Sequence, residues 1–154
     1  MSRGRDRPWR LAGALCGLVV VLDQAAKAAV EANLIPGEKV EVLGPLSLTL
    51  AHNRGVAFGL ADGGGAALVA LTVLALLFVV ALFASNPGRP WMWVAIGLLA
   101  GGALGNLADR VRAGEVTDFI DVLSWPPFNL ADVAITLGVA AMALSYLRER
   151  PTAA

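Results

Sequence analysis

Four long apolar runs organise the chain, at residues 11–30, 66–84, 91–107 and 130–147. Each is close to the ~20 residues that cross a hydrocarbon core as a helix. The first is interrupted in its second half by Asp23, Gln24 and Lys27, the second is almost purely aliphatic, the third is rich in glycine, and the fourth carries Asp132 at its start. A different period appears between the first two runs. In KVEVLGPLSLTL (39–50), Val40, Val42, Leu46, Leu48 and Leu50 alternate with mostly polar residues around Gly44-Pro45. That alternation predicts a short hairpin. The connection 108–129 has room for a short helix or strand, and Pro126-Pro127 ends it stiffly. The pattern predicts an all-α membrane protein of one domain, 1–154, with four transmembrane helices, a small extracytoplasmic β-sheet and a second extracytoplasmic loop.

Charge orients these spans. Arg3, Arg5, Arg7 and Arg10 precede the first, Arg89 lies between the second and third, and Arg148 and Arg150 follow the fourth. Basic residues mark the cytoplasmic side, so both termini are expected there. The opposite connections carry Glu31, Glu38, Glu41, Asp62, Asp109, Glu115, Asp118 and Asp121, and Trp9, Trp91, Trp93 and Trp125 fall near span ends. The N-terminal basic-then-apolar segment resembles a leader. However, Leu15 precedes Cys16 where a lipoprotein cleavage site wants a small residue, and the apolar run continues, so a retained helix is expected. Of the residues, 57% are hydrophobic against about 45–50% in soluble domains. Net charge is zero, which suggests no nucleic-acid partner, and a single cysteine excludes an internal disulfide. With no His/Cys cluster, neither a metal site nor a cofactor is expected.

Ionisable groups inside spans are costly and are functional candidates by default. Their depth is informative. Asp23 and Lys27 lie roughly 18 and 24 Å along the first span at 1.5 Å per residue, toward its outer end. Asn106, Asp109 and Arg110 end the third span and Asp132 begins the fourth, again at the outer level. Such convergence describes an interfacial site better than a transport path. Asp23 and Lys27, four apart, share a face and are expected to pair, either as a structural ion pair or in direct contact with substrate. Asp109 and Arg110 read as an end-of-helix brace. Gly101, Gly102 and Gly105 permit close helix approach. In NRGVAFG (53–59), Gly55 and Gly59 suggest a turning backbone and Phe58 an apolar surface wedge; His52 beside it reads as a solvated loop residue.

Asp118, in the β-favouring VTDFID (116–121), and Asp132, in FNLADVAI (128–135), form the best chemical pair. Amide hydrolysis needs one carboxylate to take a proton from water and a second, protonated one to polarise the carbonyl. Repulsion between two neighbouring carboxylates separates their protonation steps and supplies both forms. Spacing leaves a second reading open. Asn129 could cap the fourth helix, with Asp132 three residues later completing a capping box. Asp121 is a rival partner for Asp118.

Together these motifs resemble bacterial lipoprotein signal peptidase, the signal peptidase II family. The matching blocks are DQAAK (23–27), NRGVAFG (53–59), GGALGNLADRV (101–111), VTDFID and FNLADVAI, in the family's order and spacing. The resemblance implies an intramembrane aspartic endopeptidase of the bacterial inner (cytoplasmic) membrane. Such an enzyme removes the signal peptide from diacylglyceryl-modified prolipoproteins, cutting just before the lipidated cysteine. It implies Asp118 and Asp132 as catalytic residues, with Asn53, Gly55, Asn106, Arg110 and Asn129 lining or supporting the site, and Asp23 and Lys27 in a supporting role. It also implies inhibition by globomycin-type lipopeptides; a monomer embedded in membrane lipid is expected. Ala26, Thr117 and Val133 depart from the residues frequent in the family, and none removes a proposed catalytic group. Two alternatives are a small four-span proton-coupled transporter using Asp23 and Asp132, and a non-enzymatic membrane assembly factor.

Overall fold

The computed structural model describes residues 6–55, 64–123 and 125–148. Arg3, Arg5, Phe58, Gly59, Asp62 and Arg150, singled out above, lie outside them. The order is α1 (Asp6–Asn33), β1 (Lys39–Leu43), β2 (Leu46–Asn53), α2 (Gly64–Ser85), α3 (Met92–Ala113), β3 (Val116–Val122) and α4 (Leu130–Leu147). All four helices are long and apolar enough to cross a membrane. The fourth matches its expected bounds; α1 and α3 run past theirs. At 28 residues, α1 is about 42 Å long, more than a hydrocarbon core needs. It gains five residues, 6–10, at its start and three, 31–33, at the end that meets the sheet. α3 continues past its expected end through 108–113, until Gly114 adopts φ 77° and returns its N–H to the Arg110 carbonyl. Only a residue without Cβ takes that left-handed cap cheaply.

α3 is the central helix, and its glycines are the reason. A Cβ on Gly101 would sit 2.9 Å from the Cys16 carbonyl oxygen of α1, and one on Gly102 would overlap the Ala131 carbonyl of α4. Gly105 lies against the Asp23 carboxylate, where a Cβ would come within 2.6 Å of Oδ2. Small residues let helix backbones approach in lipid, where burial offers no separate driving force. At the opposite end of the bundle from the sheet, Phe83, Met92, Ile96 and Ala12 form an apolar core.

The sheet is antiparallel in the order β1-β2-β3. The Gly44-Pro45 turn forms as expected, with Gly44 at φ 53°. The hairpin differs from expectation in two ways. Val40 and Val42 do not point to a covered face: every residue of β1 is exposed. β1 is the sheet's outer edge, and the shared core of Leu50, Phe119 and Val30 is built from β2, β3 and α1. β2 also runs on to Asn53, so His52 lies on a strand rather than in a loop, with Nδ1 3.7 Å from Glu115 Oε1.

One irregularity in the ladder bears on the site. Leu48 pairs with Ile120, but the next pair is Ala51 with Asp118. Three steps on β2 match two on β3, which is a β-bulge. Directly opposed residues share a face, so the extra residue switches which β2 side chains accompany Asp118. A regular ladder continuing from Leu48 would oppose Leu50 to Asp118 and turn Asn53 to the other face. The bulge turns Asn53 toward Asp118.

Candidate active site

The chemistry gathers where the sheet meets the ends of α1, α3 and α4. Asp118, on β3, is 3% exposed. Its Oδ2 accepts from Asn53 Nδ2 at 3.0 Å and its Oδ1 from Asn129 Nδ2 at 2.7 Å. Asn53 presents its nitrogen because its own Oδ1 is occupied by the Gly55 N–H at 2.9 Å. Gly55 makes this turn at φ 74°, where a Cβ would also run into Leu68.

Of the two readings that spacing left open for Asp132, the capping box is present. Asn129 Oδ1 accepts from the Asp132 N–H at 3.0 Å, and the Asn129 N–H donates to Asp132 Oδ2 at 3.3 Å. The cap does not displace the pairing. Asn129, fully buried, holds Asp118 with its side-chain nitrogen while it exchanges bonds with Asp132. One residue therefore bridges the two carboxylates. Asp132 Oδ1 accepts a further bond from Asn106 Nδ2 at 2.8 Å.

Burial raises the Asp118 pKa above the usual carboxylate range; the hydrogen bond from Asn53 opposes it, the negative charge of Asp132 adds to it, and Asn129 and Lys27 oppose it. Because the shift is upward, ionising Asp118 costs the fold more than the unfolded chain. That penalty is absent below the ordinary carboxylate pKa and grows as pH rises through the raised value. Removing the Asp132 charge is expected to lower the Asp118 pKa. In Asp132→Asn it falls toward, but not to, the ordinary value, since burial remains; ¹³C-carboxyl NMR titration reads this. An unmoved Asp118 titration would show that the two groups are not coupled.

Behind the pair lies a buried ionic network. Lys27, 3% exposed, contacts Asp23 Oδ2 at 2.8 Å, Asp109 Oδ2 at 2.7 Å and Asn106 Oδ1 at 3.0 Å. All three ammonium protons are thereby used. By occupying the Asn106 oxygen, Lys27 leaves the Asn106 nitrogen to face Asp132. The other Asp23 oxygen accepts the Ala131 N–H at 2.9 Å, satisfying one of the unpaired donors at the start of α4. The expected Asp23–Lys27 pair is thus present, and Asp109 is more than a brace: it joins Lys27 and Gln24 of α1. Arg110 is separate from this network. With Asn106 and Asp132 it lines one end of a cleft of about 340 Å³, whose walls are Leu71, Val79, Ile135 and other apolar residues of α2, α3 and α4. Asp121, the rival partner, is three positions from Asp118 and so on the opposite face of β3, where it pairs with Lys39 at 2.7 Å.

From sequence, Gln24 stands out only as interrupting the first span and Glu31 only as an outer-loop charge, with no site role assigned to either or to the Ala131 N–H. Gln24 Nε2 donates to Asp109 Oδ1 at 2.8 Å, and Glu31 Oε1 accepts from Thr117 Oγ1 at 2.6 Å. A signal for Glu31 exists in the spacing: Asp23, Lys27 and Glu31 recur every four residues on one face of α1.

Four spanning helices and a sheet, with carboxylates gathered where they meet, define a multi-pass membrane protein with a polar site at one end of its bundle. The model of a known family, signal peptidase (SPase) II, matches residues 15–148. The lipoprotein signal peptidase of Pseudomonas paraeruginosa is 46% identical over 146 residues, 86% of this chain and 85% of that protein. That of Moorella thermoacetica is 44% identical over 124 residues, 79% of this chain and 83% of that protein. A bacterial membrane enzyme solved by the in meso method superposes with a TM-score of 0.84 at 34% identity, over 90% of this chain and 94% of that one. The chain belongs to the signal peptidase II family. Its activity is that of a lipoprotein signal peptidase, and neither the transporter nor the assembly-factor reading is favoured.

Proposed function

We propose that this peptidase is of the aspartic type, with Asp118 and Asp132 as its catalytic pair, and that it cuts prolipoproteins just before a diacylglyceryl-modified cysteine. The observation that carries this reading is the Asn129 bridge, which ties a buried carboxyl on β3 to a half-buried one at the start of α4. The ionised member takes a proton from water. The water oxygen attacks the scissile carbonyl carbon while the protonated member donates to the carbonyl oxygen. Collapse of the tetrahedral intermediate breaks the C–N bond; the proton taken from water goes to the leaving nitrogen, and a hydroxyl of the intermediate returns a proton to the carboxylate that had donated one, which restores the pair. Asn53, Asn106 and Asn129 hold the two carboxyls, Gly55 fixes Asn53, and Asp23, Lys27 and Asp109 support the framework.

The 340 Å³ cleft suits the apolar part of a substrate, with Arg110 and Asn106 near the bond to be cut. The arginine distribution favours cytoplasmic termini and a site at the extracytoplasmic face of the bacterial inner membrane. A monomer suffices, since every proposed group comes from one chain, and a globomycin-type lipopeptide is the expected class of inhibitor.

Purified protein is expected to cleave a diacylglyceryl-modified precursor and to be slower on the unmodified one by on the order of 100-fold or more. Each buried methylene of the acyl chains is worth ~0.8 kcal/mol. Competing cleavage of the two precursors, resolved by mass, measures this. Equal rates would remove the lipid from the recognition argument.

A further inference from the structure

The polar stripe of α1 addresses every element that carries the proposed pair. Asp23 holds the Ala131 N–H at the start of α4, and Lys27 orients Asn106, which holds Asp132. The third residue, Glu31, reaches the remaining element. Its Oε1 accepts from Thr117 Oγ1 at 2.6 Å, and Thr117 directly precedes Asp118 on β3. Neighbours on a strand point to opposite faces, so a tie on Thr117 pulls β3 from behind while Asp118 faces forward.

Few other contacts tie α1 to β3 at that level. A polar cleft of about 150 Å³, lined by Lys27, Glu31, Asp109, Thr117 and others, lies among α1, the end of α3 and this part of β3. Apolar packing of β3 on α1 is carried by Phe119 against Val30. The Thr117 N–H stands 3.5 Å from Asp109 Oδ2, a long contact. The Thr117 side chain is buried, whereas Glu31 stands at the exposed rim of the cleft. A buried hydroxyl held by a carboxylate makes a charge-assisted bond, stronger than a neutral one.

We propose that Glu31 and Thr117 are a positioning pair that sets the placement of Asp118 by bonding β3 to the end of α1. The proposal rests on Asp118 being half of the catalytic pair. Because neither residue lines the cleft proposed for substrate, loss of the tie acts on the chemical step rather than on binding.

The test uses the full chain and a lipid-modified precursor. Thr117→Val and Glu31→Ala are each expected to lower kcat about tenfold with KM unchanged, the worth of one hydrogen bond to a charged group. The double variant should be no slower than either single one, because both remove the same bond. Thr117→Ser and Glu31→Gln keep a donor and an acceptor, and should restore most of kcat. Wild-type kcat in Glu31→Ala, or losses that multiply in the double variant, would overturn the proposal. Glu31 is exposed, so its alanine variant reports on the tie even where Thr117→Val folds poorly. If Asp118→Asn and Asp132→Asn remain active, the catalytic reading fails and takes this proposal with it. If both are inactive while Glu31→Ala is unaffected, the positioning pair alone fails.

Discussion

Asp118→Asn and Asp132→Asn are each expected to abolish precursor cleavage, by about 10³-fold or more, while the protein still folds. A factor of 10³ corresponds to ~4 kcal/mol of transition-state stabilisation. An amide neither takes the proton from water nor donates one to the carbonyl oxygen, so either substitution removes half of a two-part proton transfer. Asp132 needs a control because it also completes the cap of α4. A role confined to capping predicts a loss of about 1 kcal/mol in stability and little change in rate. The asparagine oxygen can still accept from the Asn129 N–H, so Asp132→Asn retains much of the cap and isolates the acid-base role. Cleavage assays paired with thermal unfolding in detergent separate the two. Full activity in both asparagine variants would sink the catalytic pair.

Lys27→Met is expected to destabilise the fold by roughly 3–5 kcal/mol, the range for removing one partner of a buried ion pair. The reason is what remains. Asp23 is fully buried and the Asp109 side chain is 11% exposed, and each loses its 2.7–2.8 Å contact with the ammonium group. Asp23 keeps the Ala131 N–H, and Asp109 keeps Gln24, but neither retains an opposing charge among the described residues. Activity should fall as well, because the Asn106 amide loses the donor that orients it toward Asp132. Adding Asp23→Asn to Lys27→Met should recover part of the stability, since it removes one stranded charge. Lys27→Arg is not a conservative change here, because three acceptors surround a compact ammonium group and a planar fork does not reproduce that geometry. Thermal midpoints of the three variants measure this. A Lys27→Met midpoint equal to wild type would falsify the view that the network holds the bundle end together.

Much of the architecture was open to reading because it is local. A run of aliphatic residues long enough to cross a bilayer is a property of consecutive positions, and so is the alternation around Gly44-Pro45. The Asp23–Lys27 pair follows from four-residue spacing on one helix. Positions along the spans also place Asp23, Lys27, Asn106 and Asp132 at one level. What spacing left undecided was whether Asp132 is a cap or a partner of Asp118; in the tertiary structure it completes the cap and is also joined to Asp118 through Asn129. Asn129 does both, bonding Asp132 through its backbone and side-chain oxygen and Asp118 through its side-chain nitrogen. The bulge between Leu48 and Ala51 was equally hidden. One unpaired residue reverses strand parity, so whether Asn53 or His52 accompanies Asp118 depends on pairing with β3, more than sixty residues away. The Asp23 bond to Ala131 spans 108 residues, and the Glu31 bond to Thr117 spans 86. Sequence alone determined four spans, a hairpin and the level at which the acids meet, because helix and strand periods are set by neighbours along the chain. The hydrogen-bond partner of each acid was decided only by the close approach of α1, α3 and α4 at their glycines and by the register of β2 on β3, which bring together residues far apart in sequence.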